Sequence, residues 1–254
     1  MGTSGPTRRQ QRRAATSEEI VVTARALLGR GEVVSLRAVA GEMSIAPSAL
    51  YRYFASMDEL QRSIADRVYV EILQDARAAA EAYADPLSQS VAGLCALRRW
   101  ALTHPPEAQL VFASADSGLR LGALAPGNLD RHPGFVAFST YFMQLILRAR
   151  QDRTMREAIP LRQLSARARG ALLHYQERWA GQNEPPGIPL EEWWVHYVAW
   201  ARIVGIIILE VTEQMPHELV SPGALFEEAL LSFIEQYVGV PNPQLRAVID
   251  TCLQ

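Results

Sequence analysis

Apolar residues recur every three or four positions along most of the chain, with proline, glycine and capping residues between the apolar segments. Near the N-terminus, for example, Ile20, Ala24 and Leu27 would share one face of a helix. The sequence contains no convincing run of alternating apolar and polar residues bounded by hairpin turns. The pattern therefore predicts an all-α protein.

Four helices are predicted in the first third of the chain, over residues 17–31, 35–44, 47–54 and 56–80. Ser17 is a suitable N-cap for the first helix, and Pro47 suits the first turn of the third because its missing N–H is not needed there. Ser56, with Glu59 three residues later, is the sequence signature of a capping box at the start of the fourth. The short second and third helices, separated by a few residues, have the dimensions of a helix-turn-helix.

The third predicted helix carries side chains that suit contact with DNA. Leu50 and Phe54, four residues apart, are expected to face the core, which leaves the other positions on the surface. Ser48 and the free N–H groups at the helix start can bond phosphate or base edges. Ala49 can contact a thymine methyl group, and Arg52 can reach guanine or phosphate. This helix is therefore the predicted DNA-reading element.

The segment Ser35–Leu60 resembles the N-terminal DNA-binding domain of the TetR family of bacterial transcriptional regulators. The resemblance lies in the Leu-Tyr-x-Tyr-Phe run at the end of the third helix and in the Ser-x-x-Glu-Leu run that opens the fourth. It implies a three-helix DNA-binding head, a fourth helix leading into a variable ligand-binding body, and a homodimer that reads a palindromic operator. The DNA-contacting residues assigned on this basis are Ser35, Arg37, Pro47, Ser48, Ala49, Tyr51, Arg52, Tyr53 and Ser56.

A basic segment precedes the predicted first helix. Residues 1–16 contain no Asp or Glu and four arginines, which are Arg8, Arg9, Arg12 and Arg13. Without apolar periodicity, this segment is expected to be a disordered arm, either a solubilising tail or cloning remnant or an electrostatic arm for phosphate or a minor groove. Met57 stands where the family usually has a lysine, so Arg12 and Arg13 are candidates to supply the missing phosphate contacts.

The predicted organisation is a disordered basic arm over residues 1–16, a helix-turn-helix domain over 17–60 and a helical effector-binding and dimerisation domain over 61–254. In Arg98–Pro105 and Trp200–Glu210, the body resembles a subgroup of TetR C-terminal domains named for a Trp-x-x-x-His-Gly pattern. Val204 takes the place of that histidine, which is a departure from the subgroup.

Two strongly apolar helices are predicted near the C-terminus, over residues 190–214 and 222–238. The first is apolar around most of its circumference, whereas a surface helix would show a single apolar stripe. Burial on two sides is therefore expected, against the core of the body and against a partner subunit. These last two long helices are the predicted homodimer interface, and a purely intrachain pair of core helices is the alternative.

Aromatic and polar residues in the middle segments form the candidate site for a small-molecule effector. As a set they indicate an apolar cavity, although ordinary core packing explains any one of them as well. They are Trp100, Phe112, Phe138, Tyr141, Phe142, His174, Tyr175 and Trp194. The five histidines include no pair at metal-ligand spacing, so neither a metal nor another cofactor is expected.

Charge and cysteine content narrow the class of protein. The cations are 25 arginines and no lysine, against 27 acidic residues, which gives a net charge of −2. Residues 1–55 carry eight arginines and four acids, so the head is basic although the whole chain is not.

Cys95 and Cys252 lie far apart in sequence, which argues against a disulfide framework and fits a reducing cytoplasm. The longest apolar stretch, residues 198–211, is too short to span a bilayer, so no membrane partner is expected.

The sequence therefore predicts a cytoplasmic, ligand-responsive transcriptional regulator that binds double-stranded DNA. Its simplest form is a repressor that a small, largely apolar molecule releases from a palindromic operator. An activator and a regulator without an effector are alternatives of the same fold. A helical enzyme or lipid carrier is a remote alternative, because the sequence shows no nucleophile with a base at motif spacing, phosphate-binding glycine loop or metal set.

Overall fold

The computed structural model describes residues 5, 7–113, 132–152, 156, 160–179, 188–237 and 243–253. These residues form helices and the turns between them, without a β-strand, which confirms the all-α class. The helices are α1 (Arg8–Gly29), α2 (Leu36–Glu42), α3 (Pro47–Leu50), α4 (Met57–Ala80), α5 (Pro86–Thr103), α6 (Pro105–Ala108), α7 (Pro133–Gln151), α8 (Ala166–Trp179), α9 (Leu190–Val211), α10 (His217–Val220), α11 (Ala224–Tyr237) and α12 (Pro243–Leu253). A π-helical turn, Gln109–Ala113, follows α6, and a 3₁₀ turn, Leu161–Gln163, precedes α8.

Helix α1 begins at Arg8 and not, as the sequence predicted, at Ser17. The Thr7 hydroxyl accepts a hydrogen bond from the Gln10 N–H at 3.3 Å, and the Gln10 side chain accepts one from the Thr7 N–H at 2.8 Å. This capping box satisfies donors at the helix start, and the arginines, glutamines and alanines that follow have high helix propensity. The expectation of a disordered arm is therefore wrong for residues 8–16, which form the first turns of α1.

Helices α1, α2 and α3 and the start of α4 pack around a small apolar core that defines the head. One completely buried residue from each helix contributes to it, and these are Ile20, Val39, Leu50 and Leu60. The turn between α2 and α3 passes through Ser44 in the left-handed backbone region, at φ 55°. Helix α3 ends at Leu50, one turn earlier than predicted, and the chain continues in turns to Phe54. We call residues 47–54 the α3 segment.

Helix α4 connects the head to the body. Its N-cap is Ser56, as predicted, whose hydroxyl accepts a hydrogen bond from the Glu59 N–H at 3.2 Å. The Glu59 carboxylate accepts one from the Ala55 N–H at 2.7 Å, so the reciprocal half of the predicted capping box is displaced by one residue. Farther along, α4 packs against α5 and α7. A single helix therefore begins in the head and ends in the body.

The body is arranged around α5, which packs against α4, α7, α9 and α12. Its Arg98 is buried and donates hydrogen bonds to the Glu210 carboxylate of α9 at 2.7 Å and to the Val220 carbonyl oxygen of α10 at 2.6 Å. Charge-assisted bonds of this kind offset the cost of removing a guanidinium from water. The Arg98 side chain therefore joins three helices within the body.

Helix α9 is the one helix among the described residues that is long and apolar enough to cross a membrane by length and composition. It is longer than the apolar stretch 198–211 considered from the sequence, because the residues from Leu190 onward are helical as well. Core helices of water-soluble proteins have the same length and composition. Here α9 packs against α5, α7, α8 and α11.

The sequence did not predict α12, which packs against α5 through buried Leu245, Val248 and Ile249. This packing has a consequence for the two cysteines of the chain. Cys95 lies on α5 and Cys252 lies on α12, so residues far apart in sequence occupy neighbouring helices, and both are free thiols.

Candidate DNA interface and effector region

Most of the side chains predicted to contact DNA are exposed. The exposed ones are Arg12, Arg13, Arg37, Pro47, Ser48, Tyr51, Arg52 and Ser56. Ala49 is half-buried, whereas Leu50 and Phe54 are only 0% and 5% exposed, so they anchor the α3 segment in the core as their spacing predicted. Anchoring through these two residues leaves hydroxyl, phenol and guanidinium groups of the same segment in contact with solvent.

Two of the predicted contacts are N-cap residues. The hydroxyl oxygen of Ser35 accepts a hydrogen bond from the Ala38 N–H at 3.0 Å, and that of Ser56 accepts one from the Glu59 N–H at 3.2 Å. A serine hydroxyl that accepts a hydrogen bond still has its own proton to donate. Both residues can therefore cap their helices and donate a hydrogen bond to a phosphate with the same group.

Arg13 connects the first turns of α1 with the end of the α3 segment. Its guanidinium donates a hydrogen bond to the Arg52 carbonyl oxygen at 3.0 Å and lies 6.0 Å from the centre of the Tyr53 ring. Tyr53 is half-buried and packs against the head core, whereas Arg12 is exposed. Sequence spacing could not reveal this contact, because Arg13 and Arg52 belong to different helical segments that meet only in the folded head.

Some arginines of the head form ion pairs with carboxylates and others do not. Arg30 contacts Glu32 at 2.6 Å and Glu42 at 3.1 Å. In the part of the chain that the structure describes, no ion pair joins Arg37 or Arg52 to a carboxylate. An exposed guanidinium without an acidic neighbour attracts anions more strongly than a paired one. Among the described residues, Arg37 and Arg52 therefore have no carboxylate that competes for their donors, in contrast to Arg30.

An ion-pair cluster joins the head to the body. Both terminal nitrogens of Arg25 on α1 donate hydrogen bonds to the Glu71 carboxylate on α4, one of them at 2.9 Å. Glu107 of α6 approaches the same guanidinium at 3.7 Å. The hydrogen bond to Glu71 is the main reason that the pKa of Arg25 is raised, against the opposing effect of burial. Because Arg25 contacts both helices, a movement of α6 relative to α4 would change the ion pairs of this α1 residue.

Aromatic rings from four elements meet in the body and form what we call the central aromatic cluster. Tyr69 of α4 is 1% exposed, and its ring centre lies 6.0 Å from that of Phe112, 5.2 Å from Phe135 and 5.3 Å from Phe138. Trp200 of α9 lies 5.5 Å from Phe138. The rings are tilted or edge-to-face, as their quadrupoles favour. Burial raises the pKa of the Tyr69 hydroxyl.

The structure brings together four of the eight predicted effector-site residues, which are Phe112, Phe138, Tyr141 and Phe142. Tyr69, Phe135 and Trp200 belong to the same cluster but were not among the sequence candidates. Spacing within one helix does not show which faces of different helices meet, so the sequence could not place these three rings together.

The other four predicted effector-site residues are found at further contacts and surfaces of the body. The Trp100 ring stacks on His104 with centres 4.7 Å apart, and the His174 side chain is 72% exposed. Tyr175 packs on Trp193 and Tyr197 between α8 and α9. Trp194 is half-buried on α9.

The body contains a narrow apolar gap and a larger cleft that is lined by charged side chains. An apolar gap too narrow to hold a water molecule lies between the π-helical turn and α9, beside Phe112 and Ile207. An open cleft of about 690 Å³ lies among α4, α5 and α7, where Arg77, Tyr141 and Arg148 line it. Residues 114–131, which follow the π-helical turn in the chain, lie outside the described residues.

These elements define an all-α protein with an N-terminal helix-turn-helix head and a larger helical body. No protein-family model matches the chain. The helix-turn-helix-type transcriptional regulator Rv1816 of Mycobacterium tuberculosis is 32% identical over 114 residues, or 44% of this chain and 49% of the relative. The chain thus spans about half the length of the curated relatives it matches.

Two solved structures are similar over nearly the whole chain. The regulatory protein SCO4313 has 26% sequence identity and a TM-score of 0.60, with 90% of this chain and 99% of that chain covered. RolR, in a complex with resorcinol, shares the fold at 14% identity, with a TM-score of 0.56 and 94% and 95% of the two chains covered. The fold and the helix-turn-helix head agree with the resemblance to TetR regulators that the sequence predicted. Rv1816 and SCO4313 are described as regulators, which agrees with the expectation that the chain is not an enzyme.

Proposed function

We propose that the chain is a DNA-binding transcriptional regulator that places the α3 segment in the major groove. The observation that carries this proposal is the division of that segment between core and surface. Leu50 and Phe54 hold it in the head, while Tyr51 is 58% exposed and Arg52 is exposed without an ion pair among the described residues. Arg52 would bond guanine or phosphate, and Tyr51 would donate its hydroxyl to a phosphate.

The surrounding residues would fix the head on the duplex. Ser35 and Ser56 would donate their hydroxyl protons to phosphates while capping α2 and α4, and Arg37 and Tyr53 would add further backbone contacts. Small side chains at the start of α3, which are Pro47, Ser48 and Ala49, permit close approach to base edges. Because α1 begins earlier than predicted, it would place Arg12 near the same DNA backbone.

We infer that the regulator acts as a homodimer formed through α9 and α11. Trp194, Val198 and Ile208 lie on one face of α9 by helical spacing and are only half-buried within one chain. Gly205 lies on that face too, and a Cβ there would meet nothing within 4 Å, so a partner helix can approach closely. Dimerisation would cover this face and set two α3 segments about 34 Å apart, in successive major grooves of a palindromic operator.

We propose that a small, largely apolar molecule releases the dimer from DNA as an inducer releases a repressor. The support is the central aromatic cluster, because Tyr69 in that cluster belongs to the same helix that Ser56 caps beside the DNA surface. A ligand that enters beside Phe112 and parts these rings would move α4, and its differential affinity for the two positions would lower DNA affinity. The resorcinol bound by RolR, which shares this fold, has the proposed size and chemistry. An activator of the same fold would use the same coupling, and either would work in the cytoplasm.

Fluorescence anisotropy with labelled DNA from the promoter region of its own gene tests the DNA-binding proposal. We expect Arg52→Ala to cost about 1–3 kcal/mol of binding free energy, or roughly 5- to 150-fold in affinity. Arg167→Ala removes an exposed arginine from α8 and is the matched charge control, so its affinity should stay at the wild-type value. Wild-type affinity in both Arg52→Ala and Tyr51→Ala would refute the assigned interface.

The effector proposal is tested with small phenols, for which resorcinol is the first probe. A phenol that raises the melting temperature of the free protein should also weaken DNA binding, and Phe138→Ala should diminish both effects. A phenol that stabilises the protein without changing DNA affinity would contradict the proposed coupling.

A further inference from the structure

The two cysteines of the chain meet where α12 packs against α5. Cys95 is 3% exposed and lies within the core of the body, whereas Cys252 is partly exposed and packs against that core from the other helix. Cys252 shares, by helical spacing, the face of α12 that packs against α5, and a hydrogen bond between the two thiols is the largest influence on the pKa of each. The chain contains no other cysteine, so both of its thiols lie at the contact between α5 and α12.

The surroundings of this pair make its two sulfurs unequal. The hydrogen bond from Cys95 is the main influence on Cys252, and a further one from Tyr83 and the charge of Arg99 act in the same direction. Together they lower the pKa of Cys252 to about 7, against the opposing effect of burial. The shared hydrogen bond and burial raise the pKa of Cys95. The partly exposed sulfur is therefore the one that ionises near neutral pH, whereas the buried one keeps its proton.

A pair of this kind is suited to oxidation rather than to a metal. Structural zinc sites use four protein ligands, and the described residues contain no group of three or more His, Cys, Asp or Glu side chains that could hold a metal. A thiolate with a second thiol in contact is, in contrast, the arrangement in which a sulfenic acid is resolved to a disulfide.

We propose that Cys252 and Cys95 form a peroxide-reactive dithiol that closes to an intramolecular disulfide between α12 and α5. The Cys252 thiolate attacks one oxygen of a hydroperoxide, the O–O bond breaks, and the other oxygen leaves and takes a proton as water or an alcohol. Cys252 is then a sulfenic acid. The Cys95 sulfur attacks the Cys252 sulfur, the S–O bond breaks, and the hydroxyl leaves as water with the Cys95 proton. Two thiols are oxidised and one hydroperoxide is reduced.

Thiol counting and mass spectrometry on the full chain test this inference without DNA or an effector. The reduced protein is treated with a stoichiometric amount of hydrogen peroxide, and free thiols are counted after denaturation. We expect both thiols to disappear together, the intact mass to fall by two hydrogens, and a peptide map to show Cys95 linked to Cys252. Dithiothreitol should restore both thiols.

Two single variants separate the roles of the sulfurs. In Cys95→Ser, Cys252 should still react and should be trapped as a sulfenic acid by dimedone. In Cys252→Ser, Cys95 should stay reduced at the same peroxide concentration. Circular dichroism verifies that each variant is folded, and the thiol counts and the peptide map on the wild-type chain test the disulfide independently of either variant.

Three outcomes would overturn the inference, and the first two need only the wild-type protein. They are the loss of one thiol alone, a disulfide that links two chains on a non-reducing gel, and equal reactivity of Cys95 in Cys252→Ser and of Cys252 in Cys95→Ser.

Discussion

Two arginines of the head and two of the body have opposite surroundings, although arginine is the only cationic residue type besides histidine in this chain. In the head, Arg37 and Arg52 are exposed and, among the described residues, carry no carboxylate partner. In the body, Arg98 is buried against Glu210, and Arg150 contacts Glu192 at 2.9 Å. An exposed guanidinium keeps its donors for a ligand, whereas a buried one uses them to hold helices together. The position of an arginine, and not the net charge, therefore indicates its role.

Arg25 lies at the boundary between these two patterns. It belongs to a head helix, but its side chain is only 17% exposed and is engaged by Glu71 and Glu107 from α4 and α6. The arginine thus behaves as a structural residue of the body although its sequence position is in the head. This contact joins α1 of the head to α4 and α6 of the body.

The largest effect is expected when a buried arginine is removed from the body. We expect Arg98→Ala to lower the free energy of unfolding by about 3–5 kcal/mol, because Glu210 would stay buried without its partner. Urea denaturation measures this change, and the exposed Arg167→Ala is the matched control. A double variant, Arg98→Met with Glu210→Leu, should recover most of the loss since it removes both buried charges. An unchanged urea midpoint in Arg98→Ala would show that the pair does not stabilise the body.

The second test concerns a titratable group inside the body. Burial lowers the pKa of His196 from 6.5 to about 4. The unfolded chain therefore binds a proton at higher pH than the folded one, so this contribution to stability is full above pH 6.5 and is lost as the pH falls toward 4. Between pH 7 and pH 4.5 we expect a loss of roughly 2–3 kcal/mol from this residue.

Denaturation at several pH values measures the effect of His196. The slope of stability against pH should become shallower in His196→Phe, whatever its absolute stability, while His217→Gln, at an exposed position, should keep the wild-type slope. Equal slopes in wild type and His196→Phe would contradict the prediction.

The smallest expected effects concern the arginines at the start of α1. Deleting the residues before Ala14 should weaken operator binding and flatten its dependence on salt.

A triple variant, with Arg8, Arg9 and Arg12 changed to Gln, preserves the helix and should reduce the slope of log affinity against log salt by about 0.9 for each phosphate that is no longer neutralised. Arg13→Gln should cost a few-fold in affinity, since it removes the hydrogen bond to the Arg52 carbonyl. Unchanged affinity and slope in the deletion would show that these residues do not act on DNA.

The head was more predictable than the body because its signals are local. Ser35 and Ser56 cap their helices as expected, and Leu50 and Phe54 face the core at the predicted spacing. The start of α1 was missed because a polar segment without apolar periodicity resembles a disordered one, although its capping box at Thr7 was visible in the sequence.

The body shows the limit of such reasoning. Aromatic residues at helical spacing are easy to assign to a core, but the partners of each ring depend on how several helices pack. Tyr69 was therefore overlooked at the centre of the cluster, and His174 was included although its side chain is exposed. A helix face is a property of one segment, whereas a cavity or cluster is a property of several.

The sequence by itself determined the helical class, the helix-turn-helix and the residues that the α3 segment exposes, because caps, prolines and apolar spacing act within a few residues. Only the tertiary structure decided that Arg13 meets Arg52, that Arg98 is buried against Glu210, and that Cys95 meets Cys252. Each of these pairs joins segments distant in the chain, and their proximity arises from the packing of whole helices, which no local pattern encodes.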